Sequence, residues 1–180
     1  MERNVLFAGF LLAVLSGSVA AWAASVSFGA SVSAEASAAA DGSRIGPWFG
    51  NVPFETVHRG QYDYFGFQEP THRVARNATA WKELWMMGQN VQDQPAPEVD
   101  FSKRIVVAVF SGFKPTGGYD LEVRRVIRTP WAMHVFVEET SPGKGCFVTQ
   151  ALTDPNHMVS VPTSGLPVKV IRSHRVQDCN

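Results

Sequence analysis

Residues Ile105-Val-Val-Ala-Val-Phe110 form a continuous apolar run with no charge or hydroxyl. A strand sends alternate side chains to opposite faces, so a strand made of this run is apolar on both. Such a strand is central and covered on both sides. The chain has 180 residues, which is one ordinary domain plus its ends. At 45% hydrophobic and 18% charged, its composition suits a packed core. Lys+Arg and Asp+Glu are 16 each. A neutral chain argues against a nucleic-acid binder with a broad basic face and against a polybasic membrane-surface protein.

Around this strand the pattern predicts other short strands and one helix. Phe54–His58 and Gln61–Phe65 read as a hairpin turned at Arg59-Gly60. Thr71–Arg76 reads as a short strand with Val74 in the core. Asn77 is a good helix N-cap. After it Trp81, Leu84, Trp85 and Gly88 fall at i, i+3, i+4 and i+7, with Lys82 and Glu83 off that face. Gly88 is a plausible stop. Asn90–Pro97 has no periodicity and reads as a loop.

Tyr119–Ile127 alternates until Arg125-Val126, where a bulge or strand end is expected. Trp131–Glu139 alternates as a half-buried antiparallel strand, with Trp131 on its apolar face. Cys146–Leu152 is strand-like. His157–Val161 and Leu166–Arg172 are the last strands, and Ser173 begins a polar tail. The fold expected for 47–180 is one α+β domain, mainly antiparallel β-sheet with one amphipathic helix packed on it.

The N-terminus carries an export signature. A polar start with one Arg precedes the apolar run Val5–Leu15, and Ala21-Trp-Ala23 is an A-x-A cleavage site. Ser18-Val-Ala20 is a second possible site. A membrane anchor is the competing reading, but the run is short for ~20 spanning residues. The expectation is a signal peptide over 1–23 and no membrane span after cleavage. An Ala/Ser-rich flexible spacer follows over 24–46. The product is secreted or periplasmic.

Reactive motifs are sparse. There is no G-x-S-x-G elbow around Ser111 or Ser164. Lys114-Pro-Thr116 is not a Lys-Thr-Gly signature. His58, His72, His134, His157 and His174 lack metal-ligand spacing, so neither a metal nor a cofactor is expected. Asn77-Ala-Thr79 matches a glycosylation acceptor, although the N-cap role already accounts for Asn77. In Lys114-Pro-Thr-Gly-Gly118, glycines can turn successive N–H groups into one concavity that holds an anion. The same glycines can simply allow a tight connection. If the domain works by binding a protein, Lys114, Thr116, Gly117, Gly118 and Tyr119 are the candidate contacts. Cys146 and Cys179 are an even pair in an exported chain and form a candidate disulfide. Two unrelated thiols, with Cys179 on a frayed end, are the alternative.

The order of these features resembles the C-terminal domain of the PrcB-like protease-complex subunits. The resemblance begins at Asn77-Ala-Thr-Ala-Trp81-Lys-Glu-Leu-Trp85 and continues through Val99-Asp-Phe-Ser-Lys103 and the apolar strand. It includes Gly112-Phe-Lys-Pro-Thr-Gly-Gly-Tyr119, Trp131–Pro142 and Asp154-Pro-Asn-His-Met-Val159, covering about 73–171. It implies a non-catalytic exported partner that supports a protease. Two rival readings remain open. One is a secreted enzyme whose site is assembled from distant histidines and carboxylates. The other is an envelope-glycan or small-molecule binder using Trp and Tyr faces.

Overall fold

The structure is a computed structural model and describes residues 49–179. The expected signal peptide (1–23) and spacer (24–46) lie outside the described residues. Among the described residues, eight strands and one helix follow in chain order. They are β1 (Gly50–Asn51), β2 (Glu55–Gly60), β3 (Thr71–Ala75), α1 (Ala78–Trp85) and β4 (Arg104–Phe110), then β5 (Asp120–Arg128), β6 (Met133–Pro142), β7 (Asn156–Pro162) and β8 (Val168–Gln177). They build two four-stranded sheets, ordered β1-β5-β6-β8 and β2-β7-β4-β3. The expectation of helix plus antiparallel sheet is therefore too simple, because two sheets face each other.

β4 is the hinge of this arrangement. Its alternating side chains serve two different cores. Ile105, Val107 and Val109 face the other sheet, where they meet Leu121, Val123 and Val126 of β5 and Val135 and Val137 of β6. Val106, Ala108 and Phe110 face outward into a second core with Trp81, Leu84 and Trp85 of α1. The apolar run is thus a doubly covered inner strand, flanked by β7 and β3. Each fully buried Val, Leu or Phe contributes roughly 1.5–3 kcal/mol.

The helix starts where its cap dictates. The Asn77 side chain accepts the Ala80 N–H at 2.8 Å. Trp81, Leu84 and Trp85 are buried while Lys82 and Glu83 are exposed. The alternation slip in β5 is a bulge between Val123 and Arg125. The extra residue restores the inward direction at Val126.

Four local expectations are corrected. Gln61–Phe65 is not a strand, and no hairpin turns at Gly60, because β2 runs through Gly60 and pairs with β7. Cys146–Leu152 is irregular, and the isolated bridge to Lys114 is made by the next residue, Thr153. Trp131 precedes β6 and is 75% exposed, since the strand begins only at Met133. Ser173 does not begin a tail, because β8 continues to Gln177. β8 also pairs in parallel with β6, whereas the other strand pairs among the described residues are antiparallel. The chain leaves the first sheet after Pro142 and traverses the second as β7. It then re-enters beside β6 in the same direction, a return that a tight hairpin could not make.

Candidate functional site

Titratable side chains converge at one end of β2 and β7. His58 Nε2 lies 2.8 Å from Asp63 Oδ2, and Asn156 Nδ2 donates to the same oxygen at 2.8 Å. Burial opposes ionisation of Asp63, but the His58 and Asn156 hydrogen bonds outweigh it and hold its carboxyl below the usual range. Asp154 is fully buried and accepts the Phe65 N–H at 2.9 Å. Burial pushes its carboxyl up, the nearby Asp63 adds to that, and the Phe65 N–H and the charge of Lys114 pull the other way. The Asp154 N–H donates to Gln61 O at 2.7 Å. These bonds hold the 61–65 loop against β7. Gly60 makes room for it, since a Cβ there would stand 2.0 Å from Asp63 Oδ2.

His157 occupies the space between the sheets. The Val123 N–H donates to its Nδ1 at 2.9 Å, so the ring proton sits on Nε2 and donates to Thr56 Oγ1 at 2.9 Å. Burial, reinforced by Arg59 and His58, lowers its pKa to about 4, against a pull the other way from Asp120. The ring is therefore neutral at pH 7 and committed at both nitrogens. The sequence offered a faint sign of this centre in Asp154-Pro-Asn156-His157, a polar stretch leading into an apolar strand. The partners His58 and Asp63 lie far away in the chain, which hid the cluster. The bonds of the cluster tie the 61–65 loop to the start of β7, while Asp154 Oδ1 and Asn156 Oδ1 are buried with no hydrogen-bond partner among the described residues. Among the described residues, no group of three or more His, Cys, Asp or Glu is arranged to hold a metal ion.

The 112–119 loop lies against the 148–153 stretch. Lys114 N–H donates to Thr153 O at 2.8 Å, Gly117 N–H to Thr149 O at 2.8 Å, and Thr153 Oγ1 to Thr116 O at 2.9 Å. Two N–H groups that an anion would need are thus already engaged. Lys114, Thr116 and Tyr119 are half-buried, Gly117 is buried and Gly118 is exposed. Gly118 has φ +80°, a conformation suited to glycine. Trp81 and Trp85 offer no open face to a sugar. Both are 3% exposed, and their indole N–H groups donate to Pro97 O and Gln94 O.

A covalent tie closes the far end. Cys146 and Cys179 form a disulfide with Cα atoms 5.0 Å apart, 33 residues apart in sequence. Beside it the Gly143 N–H donates to Gln177 O at 2.9 Å. The disulfide joins the arm after β6 to the chain just beyond β8. β8 itself is the last strand of its sheet, and its outer side has no partner strand among the described residues. Neither the loop glycines nor any motif signalled this edge. Ser173–Gln177 projects past the core and so carries no apolar alternation.

No helix of the described residues is long and apolar enough to cross a membrane. No curated protein and no solved structure matches the chain. A family model described as PrcB C-terminal matches residues 105–162. The match runs from the start of the apolar strand β4 to the end of β7 and takes in the 112–119 loop and Asp154-Pro-Asn-His-Met-Val159. It is shorter than the resemblance over about 73–171 and leaves α1 and β8 outside. The chain is thus similar to the PrcB C-terminal family over residues 105–162.

Proposed function

We propose that the chain is an exported, non-catalytic domain that binds a protein partner and supports a protease complex. The observation that carries this is the PrcB C-terminal match over 105–162. The family description points to association with a protease assembly. Export is supported by the apolar run Val5–Leu15 and the Ala21-Trp-Ala23 site. The non-catalytic reading is supported by the bonds of His58 and Asn156 to Asp63 and of the Phe65 N–H to Asp154, which hold the 61–65 loop in place. Lys114, Thr116, Gly117, Gly118 and Tyr119 stay candidate contacts of that partner, since the bonds that seat the loop use the main chain of Lys114, Thr116 and Gly117.

The test is affinity capture of the tagged, full-length gene product from its own envelope fraction, read by mass spectrometry. A protease recovered with the chain is the expected result. Recovery of the chain alone, together with hydrolytic activity that His58→Ala abolishes, would replace this reading with the enzyme one. N-terminal sequencing of the same sample reports on export. The mature chain is expected to begin near Ala24, with Ala21 as a lesser start, and a retained Met1–Leu15 segment would mean an anchor.

A further inference from the structure

We propose that the outer edge of β8 receives an extended, acid-bearing segment of the partner as an added strand. This rests on the reading of the chain as a partner-binding domain and names the surface and the chemistry of that contact.

The direction of the backbone groups follows from two hydrogen bonds. Pro167 O accepts from Met133 N, and Gln177 O accepts from Gly143 N, each at 2.9 Å. In a strand the N–H and C=O of one residue point to the same side and alternate along the chain. The odd-numbered groups between these two anchors therefore face β6. Those of Val168, Val170, Arg172, His174 and Val176 face outward, and no described strand pairs with them. Ten residues at ~3.3 Å each give an edge of roughly 33 Å. An open ladder of this kind is the template that β-augmentation uses, with main-chain bonds for affinity and side chains for specificity.

The charge selects the occupant. Residues 168–177 contain Lys169, Arg172, His174 and Arg175 and no Asp or Glu. Arg172 is engaged inward with Glu139 and with Thr71 O and Phe110 O. Glu138 is held by Arg124 at 2.7 Å, so Arg175 at 3.4 Å shares a carboxylate already taken. Lys169 is exposed and has no ion pair among the described residues. Lys169, Ile171 and Arg175 stand on one face of β8, and Ile171 is 42% exposed. An incoming strand suited to this edge carries acids opposite Lys169 and Arg175 and an apolar residue opposite Ile171. A second copy fits poorly, because antiparallel pairing centred on Arg172 would set Lys169 against Arg175 of the other copy. Outward charges of this kind also guard an edge against self-association.

The test is residue-resolved amide exchange on the full chain, alone and with the peptide Thr-Glu-Thr-Thr-Thr-Val-Thr-Glu-Thr. In the free chain the amides of Val170, Arg172, His174 and Val176 are expected to exchange fast, and those of Lys169, Ile171, Ser173 and Arg175 slowly. The peptide should slow the outward set at least tenfold, and its Lys-for-Glu analogue should not. His174→Pro removes an outward N–H, so it should abolish this protection and leave the melting temperature nearly unchanged, as proline is tolerated on an edge. Ser173→Pro takes an N–H from the β6 ladder and should destabilise instead. Outward amides already protected in the free chain would mean that residues 1–48 or a second copy occupy the edge, and the proposal would be overturned. Equal protection by both peptides, or by neither, would overturn it too. If the His174→Pro chain captures a protease as well as the parent does, the partner-binding reading stands and the edge assignment fails. If the peptide adds to the edge but no protease is captured, the reverse holds.

Discussion

The Val123 amide on β5 donates to His157 Nδ1 on β7 and so fastens one sheet to the other through a neutral imidazole. Protonation would turn this acceptor into a donor facing an N–H. The folded-state pKa of about 4 lies below the ordinary 6.5, so the unfolded chain binds a proton that the folded chain refuses. The stability from this group is complete above 6.5 and is lost as pH falls toward 4. The difference is worth about 3 kcal/mol. Asp63, also lowered, adds loss at lower pH, whereas Asp154, raised, works in the opposite direction. Urea unfolding midpoints between pH 4 and 7 should fall with acid. His157→Gln should flatten that slope while lowering stability at pH 7, and an unchanged slope would remove His157 from the explanation.

Trp85 combines packing and a hydrogen bond. It is buried in the core under α1, and its indole N–H donates to Gln94 O at 2.9 Å, which ties the 90–97 loop to the helix. Trp85→Ala should cost ~3–5 kcal/mol, the range for large core aromatics. Trp85→Phe keeps most of the apolar volume but leaves the carbonyl unpaired, so about 1 kcal/mol is expected. Lys82→Ala, on the exposed side, should fall within about 0.5 kcal/mol of the parent. Chemical denaturation of the three variants gives the order, and equal costs for Lys82 and Trp85 would contradict the burial.

What could be read from the sequence was what local pattern encodes. The apolar run at 105–110, the Asn77 cap, the 81/84/85 face and the slip before Val126 each record burial or geometry within a few residues. What could not be read was pairing across distance. Gln61–Phe65 has strand-like alternation, but its polar groups answer to Asp154 and Asn90. β8 has little apolar pattern beyond Arg172 because its end is held by the β6 ladder and a disulfide, not by burial. The pairing within the polar cluster was hidden for the same reason, since Asn156 and Asp63 meet across 93 residues of chain.

Gly118 makes the structural role of the 112–119 loop testable. Its φ of +80° is strained for any side chain, and a Cβ would stand 2.8 Å from Val148 Cγ1 and 3.1 Å from Pro142 Cβ. Gly118→Val should therefore destabilise by about 2 kcal/mol or more, from backbone strain and overpacking together. Lys114→Ala should cost little, because the Lys114 bonds to Thr153 are made by its main chain. Melting temperatures decide between them. A large loss for Lys114→Ala with none for Gly118→Val would assign the loop a side-chain role.

The Cys146–Cys179 bridge secures the exit of β8. It closes a loop of 33 residues that includes β7 and β8. In the chain-entropy model a loop of that length is worth about 3–4 kcal/mol, acting chiefly on the unfolded state. The rest of the protein should stay folded without it, because both cores lie away from the bridge and Cys179 is exposed. Cys146→Ser with Cys179→Ser should lower stability by ~2–4 kcal/mol. It should also speed amide exchange at Gly143, whose N–H bonds Gln177 O beside the bridge, and leave exchange at Val107 unchanged relative to the global stability. Thiol labelling of the parent without reductant should find no reactive cysteine. Two labelled thiols per chain, or a double variant as stable as the parent, would mean that the ladder to β6 alone holds β8 in place.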